Sequence, residues 1–173
     1  MNPYNSFVAV IFVTEREKNA VMRMYDWKPF TIEGDDQLYY RFEHPEKGSL
    51  YCAQQDEMGM TASATLTMKL IDHFRPSYVI MPGIAAGAQF DESDRQMYGD
   101  VLLASMIWSS SNGKYVSKDM AAISFGEVGF LPRPTVVEFD PELLSLFEKA
   151  VYSENNETKV HIGPLASGSA VIA

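Results

Sequence analysis

Phe7-Val8-Ala9-Val10-Ile11-Phe12-Val13, followed at once by Thr14-Glu15-Arg16-Glu17, decides the fold. Seven consecutive apolar, largely β-branched or aromatic residues are the pattern of a strand buried on both faces. Thr14 and Glu17 have the spacing of a capping box: the threonine hydroxyl accepts from the Glu17 amide while the glutamate reaches back to the Thr14 amide. The pair predicts a buried strand turning directly into a helix over Glu15–Tyr25. Beyond it, Gln37–Glu43 and Ser49–Gln54 read as strands joined by the turn Pro45-Glu46-Lys47-Gly48.

After Gly59, Ala62, Leu66, Leu70 and Phe74 recur every four residues and predict a helix over Thr61–Phe74, closed by Pro76. Ser77–Met81 is a further buried strand, ending in Pro82-Gly83-Ile84-Ala85-Ala86-Gly87. Strand, helix and strand in close succession predict a crossover unit with parallel strands. Gly99-Asp100 is a turn fixed by the aspartate, leading into a strand over Val101–Trp108 and a turn at Ser109–Gly113. Ala121–Arg133 reads as an irregular loop. Asp140-Pro141 is an N-cap followed by a first-turn proline, and the helix it opens runs through Leu144, Phe147 and Val151. Lys159–Pro164 is a last strand, followed by Ala166-Ser167-Gly168-Ser169-Ala170-Val171-Ile172-Ala173. No repeat or linker interrupts the chain, so the expectation is one α/β domain over 1–173.

Composition excludes several classes. The chain has 173 residues, room for one core of ordinary size that needs no disulfide. Fourteen Lys and Arg against 23 Asp and Glu give a net charge of −9, and no basic cluster interrupts it, so no nucleic-acid partner is expected. No apolar run reaches the ~18 residues of a membrane span, and the first residues lack a basic segment and apolar core, which points to the cytoplasm and away from membranes. The single cysteine, Cys52, rules out an intrachain disulfide and a cysteine-based zinc site, and reads as a small buried strand residue. His44, His73 and His161 are far apart without metal-ligand spacing; no metal and no cofactor are expected. The methionines, Met58, Met60, Met68 and Met81 among them, read as fillers of core gaps.

Four segments in order resemble the nucleoside phosphorylase superfamily, and most its methylthioadenosine/S-adenosylhomocysteine nucleosidase branch. They are the opening strand with Thr14-Glu15-Arg16-Glu17; Gly59-Met60-Thr61-Ala62-Ser63-Ala64 heading a helix that ends in Arg75-Pro76; Gly83-Ile84-Ala85-Ala86-Gly87 followed by Tyr98-Gly99-Asp100-Val101; and Gly163-Pro164-Leu165-Ala166-Ser167-Gly168. The resemblance implies a twisted mixed sheet flanked by helices and cleavage of the N-glycosidic bond of a nucleoside. It implies that Glu17 activates the attacking water, that Gly83, Ile84, Ala85, Ala86 and Gly87 lie against the ribose and the nucleophile, that Ser167 and Gly168 belong to the substrate site, and that Val171 and Ile172 contact the base. It also implies a homodimer, and a C-terminally truncated domain: the family's Met-Glu segment for the ribose hydroxyls and its late aspartate lie past the point where this sequence stops.

The chemistry suits those residue types. Departure of a purine builds positive charge on the sugar, which a nearby carboxylate stabilises while taking a proton from water. A Gly/Ala-rich loop lets backbone amides approach sugar oxygens or an anion. Each residue also has a plainer reading: Glu17 as a helix cap, Gly83–Gly87 as a tight connection, Tyr39, Tyr40, Trp108, Phe125 and Phe130 as core aromatics rather than a base pocket. Phe125 and Phe130 flank a Gly-rich stretch suited to covering a pocket or a dimer interface. Ile84 stands where the family has a small polar residue, Ser169 where it has aspartate, and no Gly-Asp-x-x-Arg phosphate motif follows the first strand. The expected nucleophile is therefore water, with the 173-residue chain alone expected to be weak or inactive, and the alternative is a non-catalytic nucleoside- or nucleotide-binding sensor, a module of a larger signalling protein.

Overall fold

The computed structural model describes residues 6–46, 48–87, 95–115, 130–153 and 158–168. The chain forms two compact units, Met1–Ile84 and Ala85–Ala173.

The first unit holds β1 (Ser6–Phe12), α1 (Glu15–Met22), β2 (Lys28–Ile32), β3 (Asp35–His44), β4 (Gly48–Gln54), α2 (Met60–Phe74) and β5 (Pro76–Ile80). Its sheet has the order β2-β3-β4-β1-β5. β1 lies parallel to both β4 and β5, while β2, β3 and β4 run antiparallel. The result is a mixed sheet with the apolar run at its centre, as the double-sided burial of Phe7–Val13 predicts. Alternation along β1 divides the core in two. Ala9 and Ile11 join Tyr39, Ala53 and the α2 stripe Leu66, Leu70 and Phe74 on one face. Val8, Val10 and Phe12 join Cys52 on the other, against Val21 and Met22 of α1. Each large apolar side chain removed from water in this way contributes about 1.5–3 kcal/mol.

Aromatic contacts lock α2 onto the sheet, with Tyr51 and Phe74 stacked at 4.0 Å between centroids. One buried charge sits at the same seam. Asp35 accepts from Lys69 Nζ at 2.6 Å, from Tyr39 Oη at 2.7 Å and from the Gln37 amide at 3.0 Å, with His73 Nε2 at 3.2 Å. Lys69 above all, then Tyr39 and the Gln37 amide, hold its carboxyl well below the usual range, against the opposing effect of burial. Burial and the neighbouring Asp35 carboxylate raise the Tyr39 hydroxyl above the usual phenol value.

Several boundaries differ from expectation. α1 stops at Met22, three residues early, and the Trp27 indole donates to the Val21 carbonyl while Tyr25 packs on Phe42 at 4.7 Å. β2 was not foreseen: it is a five-residue edge strand containing Pro29, and an edge is where a sheet tolerates proline. Four of the methionines are not core fillers, unlike Met22. Met58, Met60, Met68 and Met81 are 77%, 57%, 64% and 48% exposed, and on α2 Leu66, Leu70 and Phe74 occupy the arc that faces the sheet, which leaves Met60 and Met68 outside. Tyr39 is wholly buried in the core and lines no base pocket.

The second unit holds β6 (Val101–Ser109), β7 (Gly113–Tyr115), β8 (Phe130–Pro132), β9 (Val136–Glu138), α3 (Pro141–Ser153) and β10 (Val160–Ser167). β10 runs parallel to β6, β9 antiparallel to it, and β7 pairs antiparallel with β8. The loop expected over Ala121–Arg133 thus ends in a strand. Gly113 is required there by space, since a Cβ would stand 2.3 Å from the Leu131 carbonyl oxygen. β10 continues past Pro164 to Ser167 because the register shifts between Gly163 and Pro164, a bulge that absorbs the missing N–H. Asp140 caps α3 as expected, its Oδ1 accepting from the Glu142 amide at 2.7 Å.

Candidate functional site

The site begins where β1 ends. Val13 and Thr14 carry the chain off the carboxyl edge of the sheet, and Thr14 becomes the N-cap of α1 with extended backbone angles. Both halves of the capping box form: Thr14 Oγ1 accepts from the Glu17 amide at 3.3 Å, and Glu17 Oε2 accepts from the Thr14 amide at 2.8 Å. The same Oε2 accepts from the Val13 amide at 3.2 Å. This geometry explains one carboxylate oxygen as helix capping. The other does something the capping box does not require.

Glu17 Oε1 accepts from the backbone amide of Ile84 at 3.2 Å. Ile84 follows β5, which is parallel to β1 and next to it, so both partners project from the same edge of the sheet. Ligands of open α/β sheets bind at this edge, outside the carboxyl ends of parallel strands. Gly83 allows the approach: a Cβ there would sit 3.3 Å from Glu17 Oε1. Three backbone amides therefore hold one half-buried carboxylate, and of its roughly four acceptor positions about one is left for another donor.

Of the residues expected at the site, Glu17, Gly83 and Ile84 come together in the first unit. Ile84 is 76% exposed, so only its backbone engages the carboxylate. Ala85, Ala86 and Gly87 are exposed loop residues of the second unit, where Gly87 lies against Gln96, whose Oε1 would be 2.8 Å from an added Cβ. Ser167 and Gly168 are exposed at the end of β10, and the Ser167 carbonyl accepts from the Ser110 amide at 2.7 Å. Val171, Ile172 and Phe125 lie outside the described residues. The Gly/Ala-rich loop is expected to offer amides to an anion or a sugar oxygen, and one of them, that of Ile84, meets the Glu17 carboxylate, a partner that no sequence pattern reveals.

Other candidates resolve into structure. Asp100 closes its turn by accepting from the Met97 amide at 2.8 Å and meets His161 Nε2 at the same distance. Those two bonds, the Met97 amide first, hold the Asp100 carboxyl below its usual value. Burial pushes the Cys52 thiol up to about 12, which leaves it protonated and inert at neutral pH. A cavity of about 470 Å³ opens at the start of α2, lined by Gln55, Glu57, Thr61 and Lys69 among others. It does not include Glu17, and two of its polar side chains are engaged elsewhere: Gln55 accepts from Ser63 Oγ and donates to the Glu57 carbonyl, and Lys69 serves Asp35. Among the described residues no group of three or more His, Cys, Asp or Glu side chains is arranged to hold a metal ion, and no helix is long and apolar enough to cross a membrane.

The family model of the Phosphorylase superfamily matches residues 8–173. A curated relative, the uncharacterized protein y4jS of Sinorhizobium fredii, is 30% identical over 159 residues, covering 84% of this chain and 37% of that protein. Among solved structures, the fold is similar to 5′-methylthioadenosine/S-adenosylhomocysteine nucleosidase from Neisseria meningitidis, in complex with methylthio-immucillin-A (TM-score 0.69, 22% identity, 95% of this chain and 65% of that one). It is equally similar to a Helicobacter pylori MTAN mutant with 5′-methylthioadenosine in its active site (TM-score 0.69, 18% identity, the same coverage). Futalosine hydrolase of Helicobacter pylori gives a TM-score of 0.69 at 19% identity, over 97% of this chain and 68% of that one. The chain thus spans a little over a third of the curated relative and about two thirds of these structures.

Proposed function

The chain belongs to the phosphorylase superfamily, and from that premise we propose that it acts on the N-glycosidic bond of a purine nucleoside, with water as the nucleophile. One observation carries the reading: a carboxylate at the carboxyl end of β1 is held by the backbone of the Gly83-Ile84 loop at the carboxyl end of the neighbouring parallel strand. In this reading the acceptor position left on Glu17 takes a proton from water as the water oxygen bonds to C1′. The C1′–N bond breaks, its electron pair leaves with the base, and the departing base takes a proton from solvent. Negative charge held beside C1′ stabilises the oxocarbenium-like transition state. By family resemblance, Gly83 to Gly87 are assigned to the sugar, Ser167 and Gly168 to the substrate, and Val171 and Ile172 to the base.

The wider reading is consistent with these roles. Residues 1–173 are read as one domain, a reading supported by a family model that matches 8–173. The protein works in the cytoplasm, where its free Cys52 thiol is at home, and as a homodimer. Met60, Met68 and Ile71, exposed along α2, form an apolar surface that pairing would cover.

The test is release of free base from 5′-methylthioadenosine, adenosine and other purine nucleosides, followed by chromatography with and without phosphate. Base release independent of phosphate, and lost in Glu17→Gln, is the expected result. Full activity in Glu17→Gln removes the carboxylate from the mechanism. Ile84 favours a second reading, a non-catalytic nucleoside- or nucleotide-binding sensor, since its side chain offers no hydrogen bond where the related enzymes are expected to have a polar group. Calorimetric binding of these nucleosides without turnover would establish that one instead.

A further inference from the structure

We infer that the backbone amide of Ile84 is a positioning group for Glu17, aiming the carboxylate through the main chain rather than through a side chain. This rests on the reading of Glu17 as the base of a nucleosidase, and it adds a residue role that the reading does not require. The argument is geometric. Capping satisfies Oε2 with the Val13 and Thr14 amides, and a capping box needs no more than that. Oε1 is free of the helix, and a glutamate side chain has rotatable bonds enough to carry it elsewhere. It is instead fixed at 3.2 Å from the Ile84 amide, with Gly83 leaving room for it.

The contact also joins elements far apart in sequence. Glu17 belongs to the first turn of α1, and Ile84 follows β5, 67 residues later. The hydrogen bond therefore sets the distance between the carboxylate and the loop that borders the sugar. A main-chain donor is indifferent to the side chain at that position, which explains how isoleucine can occupy it. The Ile84 side chain is then left in solvent, 76% exposed.

Two measurements on the whole chain test this. The first is hydrogen exchange at the Ile84 amide. A hydrogen bond to a charged acceptor is expected to slow exchange about tenfold relative to Glu17→Ala, with Glu17→Gln no slower than halfway between, because its one neutral oxygen is shared between the capping amides and Ile84. Equal exchange in all three proteins overturns the inference. The second compares Ile84→Pro, which lacks the N–H, with Ile84→Ala, which keeps it, using 5′-methylthioadenosine. Ile84→Pro is expected to fall at least about tenfold below Ile84→Ala in kcat, with KM within about twofold, since the lost bond orients the base rather than holding substrate. Equal kcat in the two variants overturns the inference. Circular dichroism and the thermal midpoint exclude unfolding of Ile84→Pro as the cause. A chain that turns over no nucleoside, yet protects Ile84 only when residue 17 can accept, sinks the nucleosidase reading and leaves the positioning contact standing.

Discussion

Gly83→Ala separates the fold from the site more cleanly than removal of the carboxylate does. Gly83 is not among the glycines with left-handed backbone angles, so alanine meets no backbone strain there. What it meets is Glu17 Oε1, 3.3 Å from the new Cβ. That distance is tighter than ordinary carbon–oxygen contact, so the carboxylate must give by a few tenths of an ångström. The bond from the Ile84 amide starts at 3.2 Å, and such a shift brings it to the edge of hydrogen-bond range. Weakening a bond to a charged acceptor costs about 1 kcal/mol of stability. Replacing glycine by alanine at an unstrained position returns about 0.4–1 kcal/mol through the unfolded state. The two nearly cancel, so the thermal midpoint should move by no more than about 2 °C. Activity has no such offset: a misplaced base costs rate directly, and base release should fall about tenfold. Thermal unfolding and initial-rate assays on the same preparation give both numbers. Loss of more than about 2 kcal/mol in stability would mean that the methyl group crowds the backbone instead. Unchanged stability with full activity would mean that the position of Glu17 does not matter to the reaction.

Asp35→Asn should cost about 1.5–3 kcal/mol, because Lys69 and His73 lose their anionic partner at the α2 seam. The folded carboxyl titrates below its unfolded value of about 3.9, so its contribution is complete above about pH 5 and is lost as pH falls below 4; the variant's stability should vary less with pH in that acid window, as urea melts between pH 2.5 and 6 will show. Cys52 should react with a thiol reagent at pH 8 only as fast as the protein unfolds, and prompt labelling of folded protein would contradict its burial and raised pKa. Gly113→Ala should destabilise the β7–β8 pair, by about 1–3 kcal/mol, through collision with the Leu131 carbonyl, read as a lowered thermal midpoint.

Legibility followed the range of the interactions. β1 was readable because an unbroken apolar run admits few fates, and its alternate residues do fill two separate cores. The start of α1 was readable because its cap is made within four residues. The stripe of α2 and the burial of Cys52 are equally local signals. β2 was lost because Pro29 argues against a strand until the sheet supplies an edge to put it on. β8 was lost because its pairing with Gly113–Tyr115 is made across the sequence, with nothing nearby to announce it. The methionines misled for a related reason: apolar character says that a residue can be buried, and only the packing of Leu66, Leu70 and Phe74 decides which arc of α2 is. At the site, Glu17 was visible twice over, by its capping motif and by the family resemblance. That the loop offers amides to an anion was legible from its glycines and alanines, but that the Ile84 amide meets Glu17 was not, since every residue but proline carries the same amide.

That difference bears on how the two readings of Glu17 relate. Helix cap and reaction base look like rivals only if the carboxylate is treated as a single contact. Its two oxygens have different partners: one is tied to the turn that starts α1, the other to the loop after β5. A helix N-terminus is also where a carboxylate is electrostatically favoured, so the fold holds the group at the sheet edge for reasons of its own. Orientation that an isolated side chain would gain only at a cost in entropy is here a by-product of secondary structure. Glutamine at position 17 has a single acceptor oxygen, which can serve the Val13 and Thr14 amides or the Ile84 amide but not both sets, so it keeps part of the cap and discards the charge. Alanine discards both. The difference between those two variants in stability measures the cap, and the loss of activity that they share measures the carboxylate.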